Sequence, residues 1–103
     1  ALTLPVVNTA VSLLMGEDGK KIAQARVVVG PVASTPFRAR EAEDILTGQE
    51  PSRELWVRAA RSAAQESRPR ASLLRGGREY RQAMVEVLVR RALEKAWHRR
   101  SAR

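Results

Sequence analysis

Apolar and polar positions alternate with period two through the first third of the chain. From Leu4 to Met15, the residues Val7, Thr9, Val11, Leu13 and Met15 fall on one face. Gly16-Glu17-Asp18-Gly19 then forms a turn cluster, with two glycines able to take positive φ. A second run from Lys21 to Val32 places Ala25, Val27 and Val29 on one face. Two such runs around a glycine-rich turn predict an antiparallel β-hairpin. Gly30-Pro31 stands near its end, where proline is tolerated at an edge or a bulge. Pro36 keeps Thr35 out of the helical region, and Phe37-Arg38 fits a short extended piece.

Beyond residue 38 the period changes to that of helices. Ala39 to Thr47 predicts a short helix with Ala42, Ile45 and Leu46 as its apolar stripe, closed by Gly48 at the C′ position. Ser52 is placed to N-cap a second helix running to about Ser67, with Glu54 near its positive dipole end. The expected buried face of that helix is Leu55, Ala59, Ala60, Ala63 and Ala64, small enough for close packing. Pro69 to Gly77 reads as a loop whose Leu73 and Leu74 tuck under the core or a neighbouring domain. A third helix is expected from Arg78 to Trp97, with apolar residues covering far more than one stripe, and His98 to Arg103 as a frayed basic tail. Strands followed by helices predict an α+β fold: a small antiparallel sheet of three to four strands with three helices on one face. The 103 residues fit a single domain, with a β part at 1–37 and a helical part at 38–103.

Composition narrows the chemistry. No cysteine is present, which excludes disulfides, thiolate metal sites and a cysteine nucleophile. One histidine, His98, excludes a histidine metal cage and reads as a solvated residue near a helix end. No apolar run reaches the roughly 20 residues of a membrane span. No basic n-region marks a signal peptide, and the start at Ala1 without Met suggests a processed chain or a fragment. The net charge of +8 points to an anionic partner. Residues 1–37 hold only three of the 19 basic residues and two of the 11 acids, so the excess sits in the helical part.

Each candidate site has a plainer structural counterpart. Gly76-Gly77 between Arg75 and Arg78 could receive a phosphate at a helix start, yet no glycine-rich phosphate motif surrounds it, and a flexible turn explains it as well. Glu41 and Glu43, two apart, do not share a helix face, which argues against a paired acid–base site. Glu43 is expected to make a structural ion pair, with Arg81 or Arg91 of the third helix as partner. Tyr80 could stack on a flat ring or sit in the core with its hydroxyl bonded. Lys95, Arg99, Arg100 and Arg103 resemble a nucleic-acid arm by charge alone, but interleaved acids and an aromatic content of 4% disfavour nucleic acid. No catalytic set and no metal site assembles from these residues.

The ordered signatures carry a resemblance. Leu4 to Val11 (LPVVNTAV, with Asn8) and Ala25 to Ala33 (ARVVVGPVA) look like two family strands. Thr35-Pro36-Phe37-Arg38-Ala39, leading to Glu43, Leu46 and Gly48, resembles the signature that follows them. Arg75, Glu79-Tyr80-Arg81 and Val87 to Leu93, including Arg91, resemble the closing helix. Together, from Leu4 to about Trp97, they resemble the C-terminal domain of the FAD-binding medium subunit of molybdenum hydroxylases, the family of the carbon monoxide dehydrogenase flavoprotein and the bacterial xanthine dehydrogenase FAD subunit. Leu73 stands where the family usually has Asp, and Gly77 where it usually has a small hydroxyl residue, so the entry to the third helix departs from the pattern.

The resemblance implies helices packed on a three- or four-stranded sheet. It implies an accessory role in an oxidoreductase that passes electrons between iron–sulfur centres and FAD, the cofactor being held mainly by preceding domains. The expected partners are those FAD-binding domains and the iron–sulfur and molybdenum subunits, in the cytoplasm, with no membrane contact. The chain alone is expected to be inactive and to bind no cofactor tightly. Asn8, Pro36, Arg38, Glu43, Gly48, Arg75, Tyr80, Arg81 and Arg91 are its signature residues, expected to be structural. The alternative is a basic interaction module for nucleic acid or an acidic protein, whose affinity for a random duplex would fall steeply with salt.

Overall fold

The computed structural model describes residues 7–31, 36–67 and 77–101. The expected loop with Leu73, Leu74 and Arg75 lies outside them. The strands are β1 (Val7–Met15), β2 (Ile22–Pro31) and β3 (Phe37–Arg38). The helices are α1 (Arg40–Leu46), α2 (Arg53–Glu66) and α3 (Gly77–Ser101). The sheet order is β1-β2-β3, antiparallel throughout. This is the α+β arrangement the strand-then-helix order predicts.

The hairpin alternation holds on β1, where Thr9, Val11, Leu13 and Met15 are half-buried and Asn8, Ala10, Ser12 and Leu14 are exposed. On β2 a bulge interrupts it. Leu14 pairs with Gln24 and Met15 with Ile22, leaving Ala23 as the extra residue. Ile22 therefore turns inward together with Ala25, Val27 and Val29, and all four are buried. Strict period-two counting misses Ile22 because the bulge resets the phase. The turn between the strands is closed by Gly16 N–H to Lys21 O at 2.8 Å and Gly19 N–H to Gly16 O at 2.9 Å.

α1 packs on β2 and α2, α2 packs on α3, and α3 crosses β1. The alanines Ala59, Ala60, Ala63 and Ala64 of α2 are buried, as expected, but Trp56 joins them. Ser52 Oγ accepts the Leu55 N–H at 3.1 Å, the predicted N-cap. At the other end the Ser67 hydroxyl donates to Ala64 O at 2.6 Å.

α3 differs from expectation in two ways. Among the described residues its fully buried positions form one stripe, Val85, Val89 and Leu93, flanked by half-buried Met84, Leu88 and Trp97, whereas Val87 is exposed. Among the described residues a wide apolar sequence face thus meets a narrow core, because α3 packs mainly on α2 and β1. The expected frayed tail is also helical as far as Ser101. Good helix formers such as Lys95, Ala96 and Arg99 continue the helix where the sequence shows no glycine or proline to stop it.

Gly30 occupies a close approach. A Cβ there would lie 2.8 Å from both Cα and Cβ of Pro36, and the contact with Cα is one that no side-chain rotation relieves. Gly30→Ala is expected to cost roughly 1–3 kcal/mol through overpacking. Thermal melting checks this, and an unchanged midpoint would contradict the close approach.

Candidate functional site

The most organised polar cluster lies where the sheet gives way to helix. β3 is two residues long and pairs with Val28 and Val29 of β2. The ladder takes one further step, with Ala39 N–H donating to Val27 O at 2.8 Å. In a continued antiparallel pair the Val27 N–H would return to the Ala39 carbonyl. That carbonyl instead accepts the Glu43 N–H at 3.0 Å, because α1 has begun. The Glu43 carboxylate takes its place, with Val27 N–H donating to Oε2 at 2.9 Å. Arg38 then holds the carboxylate from the other side, Nη2 to Oε1 at 2.6 Å and Nε to Oε2 at 3.2 Å. This two-toothed, charge-assisted pair is the strong geometry for arginine and a carboxylate.

The far end of α1 is tied to β2 as well. Gly48 N–H donates to Ile22 O at 2.7 Å, and Ile22 N–H donates to Gln49 O at 2.9 Å. Gly48 reaches this position with φ of 81°, the left-handed conformation expected of a C′ glycine. α1 therefore covers the β2 edge between Val27 and Ile22, satisfying backbone groups that an open edge would expose.

The expected structural ion pair of Glu43 exists, but with a different partner. Among the described residues Arg38 and the Val27 N–H hold the carboxylate, and Arg91 of the third helix does not. Arg38 is five residues away and is presented by β3 directly against the carboxylate, whereas Arg91 is exposed on α3, an element that packs on α2 and β1. Arg81 and Tyr80 lie in the first turn of α3, and their side chains are outside the described residues. Asn8 is exposed and pairs in register with Gly30, which backs onto exposed Pro36, so these three gather at one end of the sheet.

Sequence reasoning missed Glu66. Its Oε2 accepts the Ala42 N–H at 3.4 Å, and the N–H groups of Arg40 and Glu41 also act on it. Ala39, the N-cap residue of α1, makes no side-chain cap, so a carboxylate from α2 serves instead. A signal was available: an acid in the last turn of α2 opposes that helix's own dipole and calls for another role.

The two carboxyl groups shift in opposite directions. Burial pushes Glu43 up, but the Arg38 hydrogen bond, the Val27 N–H and the charges of Arg38 and Arg26 outweigh it, leaving it below its ordinary value. The hydrogen bond to Glu43 in turn holds Arg38 above its ordinary value. Burial pushes Glu66 up beyond what the N–H groups of Glu41 and Ala42 recover, and the Glu41 charge adds to the rise. A lowered carboxyl stabilises the fold above its unfolded value, near 4.3, and that contribution is lost as pH falls through the folded value. A raised carboxyl does the reverse, its contribution being lost as pH rises through the folded value. Glu43→Gln is thus expected to melt well below wild type at pH 7, with the two curves converging in acid. Glu66→Gln is expected to be tolerated best at neutral pH. Melting midpoints from pH 3 to 8 check both, and a constant gap for Glu43→Gln would contradict the assignment.

The model of the CO dehydrogenase flavoprotein C-terminal domain matches residues 2–96. The chain belongs to that family. It is 33% identical over 86 residues to the nicotine 6-hydroxylase medium subunit of Paenarthrobacter nicotinovorans, covering 84% of this chain and 30% of that protein. It is 32% identical over 93 residues to the 6-hydroxypseudooxynicotine dehydrogenase complex subunit alpha of the same organism, covering 90% and 31%. The cyanide-inactivated Cu,Mo-CO dehydrogenase crystal structure superposes with a TM-score of 0.71 at 34% identity, over 87% of this chain and 30% of that one. The chain spans about 30% of the length of these curated relatives. It is thus the C-terminal domain of a flavoprotein subunit of the molybdenum hydroxylase type.

The family raises the question of FAD. Its pyrophosphate calls for N–H groups at a helix start or glycine-rich turn. Here the Glu66 carboxylate faces the start of α1, Ser52 caps α2, and the Lys20 N–H of the hairpin turn goes to Asp18 Oδ1 at 2.9 Å. These three places do not fit a phosphate, since protein oxygens already occupy them. Among the described residues no cluster of three His, Cys, Asp or Glu could hold a metal, and no helix is long and apolar enough to cross a membrane.

Proposed function

We propose that this domain completes the flavin subunit by packing against its FAD-binding domains. It supports electron transfer between iron–sulfur centres and FAD by fixing how that subunit meets its iron–sulfur and molybdenum partners, in the cytoplasm. The chain acts as one domain and has no catalytic activity alone. The match of residues 2–96 to a C-terminal domain, within relatives of which the chain spans about 30%, carries this reading. Arg38, Glu43 and Gly48 serve it structurally, by keeping the sheet edge closed. Asn8, Pro36, Arg75, Tyr80, Arg81 and Arg91 are assigned to the same supporting class.

Titrating the isolated chain with FAD tests the division of labour. Flavin absorbance and fluorescence are expected to stay those of the free cofactor, while the chain co-elutes at 1:1 with the FAD-binding portion of its parent subunit. Tight stoichiometric FAD binding by this chain alone, or failure to form the 1:1 complex, would sink the proposal.

A further inference from the structure

The core is closed along β2 and open along β1. The inward residues of β2, Ile22, Ala25, Val27 and Val29, are buried. Those of β1, Thr9, Val11, Leu13 and Met15, are half-buried, as are Met84 and Leu88 of α3, the helix that packs on β1. On the other face of β1, Leu14 is 59% exposed. Among the described residues β1 is also the outermost strand, paired on one side only. The phase of its free edge follows from β2. The Val27 N–H donates to Glu43 Oε2 and the Val27 carbonyl accepts the Ala39 N–H, both on the side away from β1. In an antiparallel ladder both backbone groups of a residue point to one side, and the side alternates along the strand. Val11 and Val27 thus face each other without exchanging hydrogen bonds, and Thr9, Val11 and Leu13 aim their N–H and C=O groups outward. None of these six groups has a partner among the described residues. Natural edges are blunted by charge, proline or a bulge, or are covered. Val7–Met15 holds no charged residue, proline or glycine, and the bulge of the hairpin lies on β2.

We propose that an extended segment from the FAD-binding part of the same subunit pairs with the β1 edge as a further strand. Its helix-side residues are apolar and cover Val11, Leu13 and Leu88. This deepens the flavin-subunit reading and rests on it. Extended backbone is what fits, because it offers N–H and C=O groups at the two-residue step of Thr9, Val11 and Leu13. A second copy fits poorly. Pairing β1 with its own copy about a two-fold axis normal to the sheet sets both α3 helices on one face, side by side. Each copy brings a net charge of +8 and exposes Arg91, Lys95 and Arg99 on α3, so the two repel. The rest of the subunit is favourably placed instead. This chain matches a C-terminal domain and spans about 30% of its relatives, so the FAD-binding part leads into β1, the first strand here. That covalent link holds a pairing segment at high effective concentration.

Residue-resolved hydrogen exchange on the isolated chain and on the intact parent subunit tests this. In the isolated chain the Thr9, Val11 and Leu13 amides are expected to exchange about tenfold or more faster than those of Ala10 and Ser12, which bond to β2. In the intact subunit the same three amides are expected to slow by about tenfold or more. Val11→Pro removes one outward N–H and no bond to β2, a change an edge strand tolerates. It is expected to keep the far-UV circular dichroism of the chain and to weaken its complex with the separate FAD-binding portion about tenfold. The exchange measurement needs no variant and decides the matter even where Val11→Pro does not fold. Fast exchange of the three amides in the intact subunit would overturn the proposal, while a 1:1 complex would leave the flavin-subunit reading standing. Protection already present in the isolated chain would overturn it too, assigning the edge to this chain's own residues at monomer mass or to a second copy at dimer mass. Undiminished affinity of a folded Val11→Pro chain would likewise overturn it.

Discussion

Glu43→Ala is expected to be among the most damaging single changes, costing about 3 kcal/mol and lowering the melting midpoint by roughly 15 °C. Glu43 is 6% exposed, and its carboxylate does two jobs at once. It accepts the Val27 N–H, which has no ladder partner once β3 ends, and it anchors Arg38. Alanine leaves that N–H buried without an acceptor, a loss of about 1–3 kcal/mol by itself. Glu43→Gln separates the two jobs, because its amide oxygen can still accept from Val27. It is expected to fall between wild type and Glu43→Ala. If the alanine variant melts like wild type by circular dichroism, the sheet-to-helix junction does not depend on this residue.

Leu93→Ala is expected to cost about 2–5 kcal/mol, the range for truncating a buried leucine. Leu93 is fully buried at the end of the α3 stripe, in one core with Ala60 and Ala63 of α2. The buried side of α2 is mostly alanine, so its neighbours have few long side chains with which to fill the space. The cost is therefore expected in the upper half of the range. Val87→Ala, on the exposed side of the same helix, is the control and should shift the midpoint by less than about 0.5 kcal/mol. Equal effects at both positions would contradict the placement of the core on one stripe.

Much of this architecture is legible from local signals. Alternation from Thr9 to Met15 and at Ala25, Val27 and Val29 marks the inward face of the hairpin. Ser52 and Gly48 mark helix ends through side-chain and backbone chemistry that acts within a few residues. The family signatures, strung in order along nearly the whole chain, point to the family that the comparisons show. Other features escape such reading. Ile22 faces inward only because Ala23 bulges, and a bulge depends on how two strands settle against each other. The face of α3 looks wide in sequence, yet its buried width is set by how many neighbours the fold gives it.

The sequence by itself determined the elements, their order and the residue types at their ends, because periodicity and capping are properties of neighbouring residues. Only the tertiary structure decided which cation holds Glu43 and which helix start Glu66 covers. Those choices depend on where β3 stops and on how the end of α2 meets the start of α1. A carboxylate has no preference among arginines until the fold brings one within reach and leaves a backbone N–H beside it with nothing else to bind.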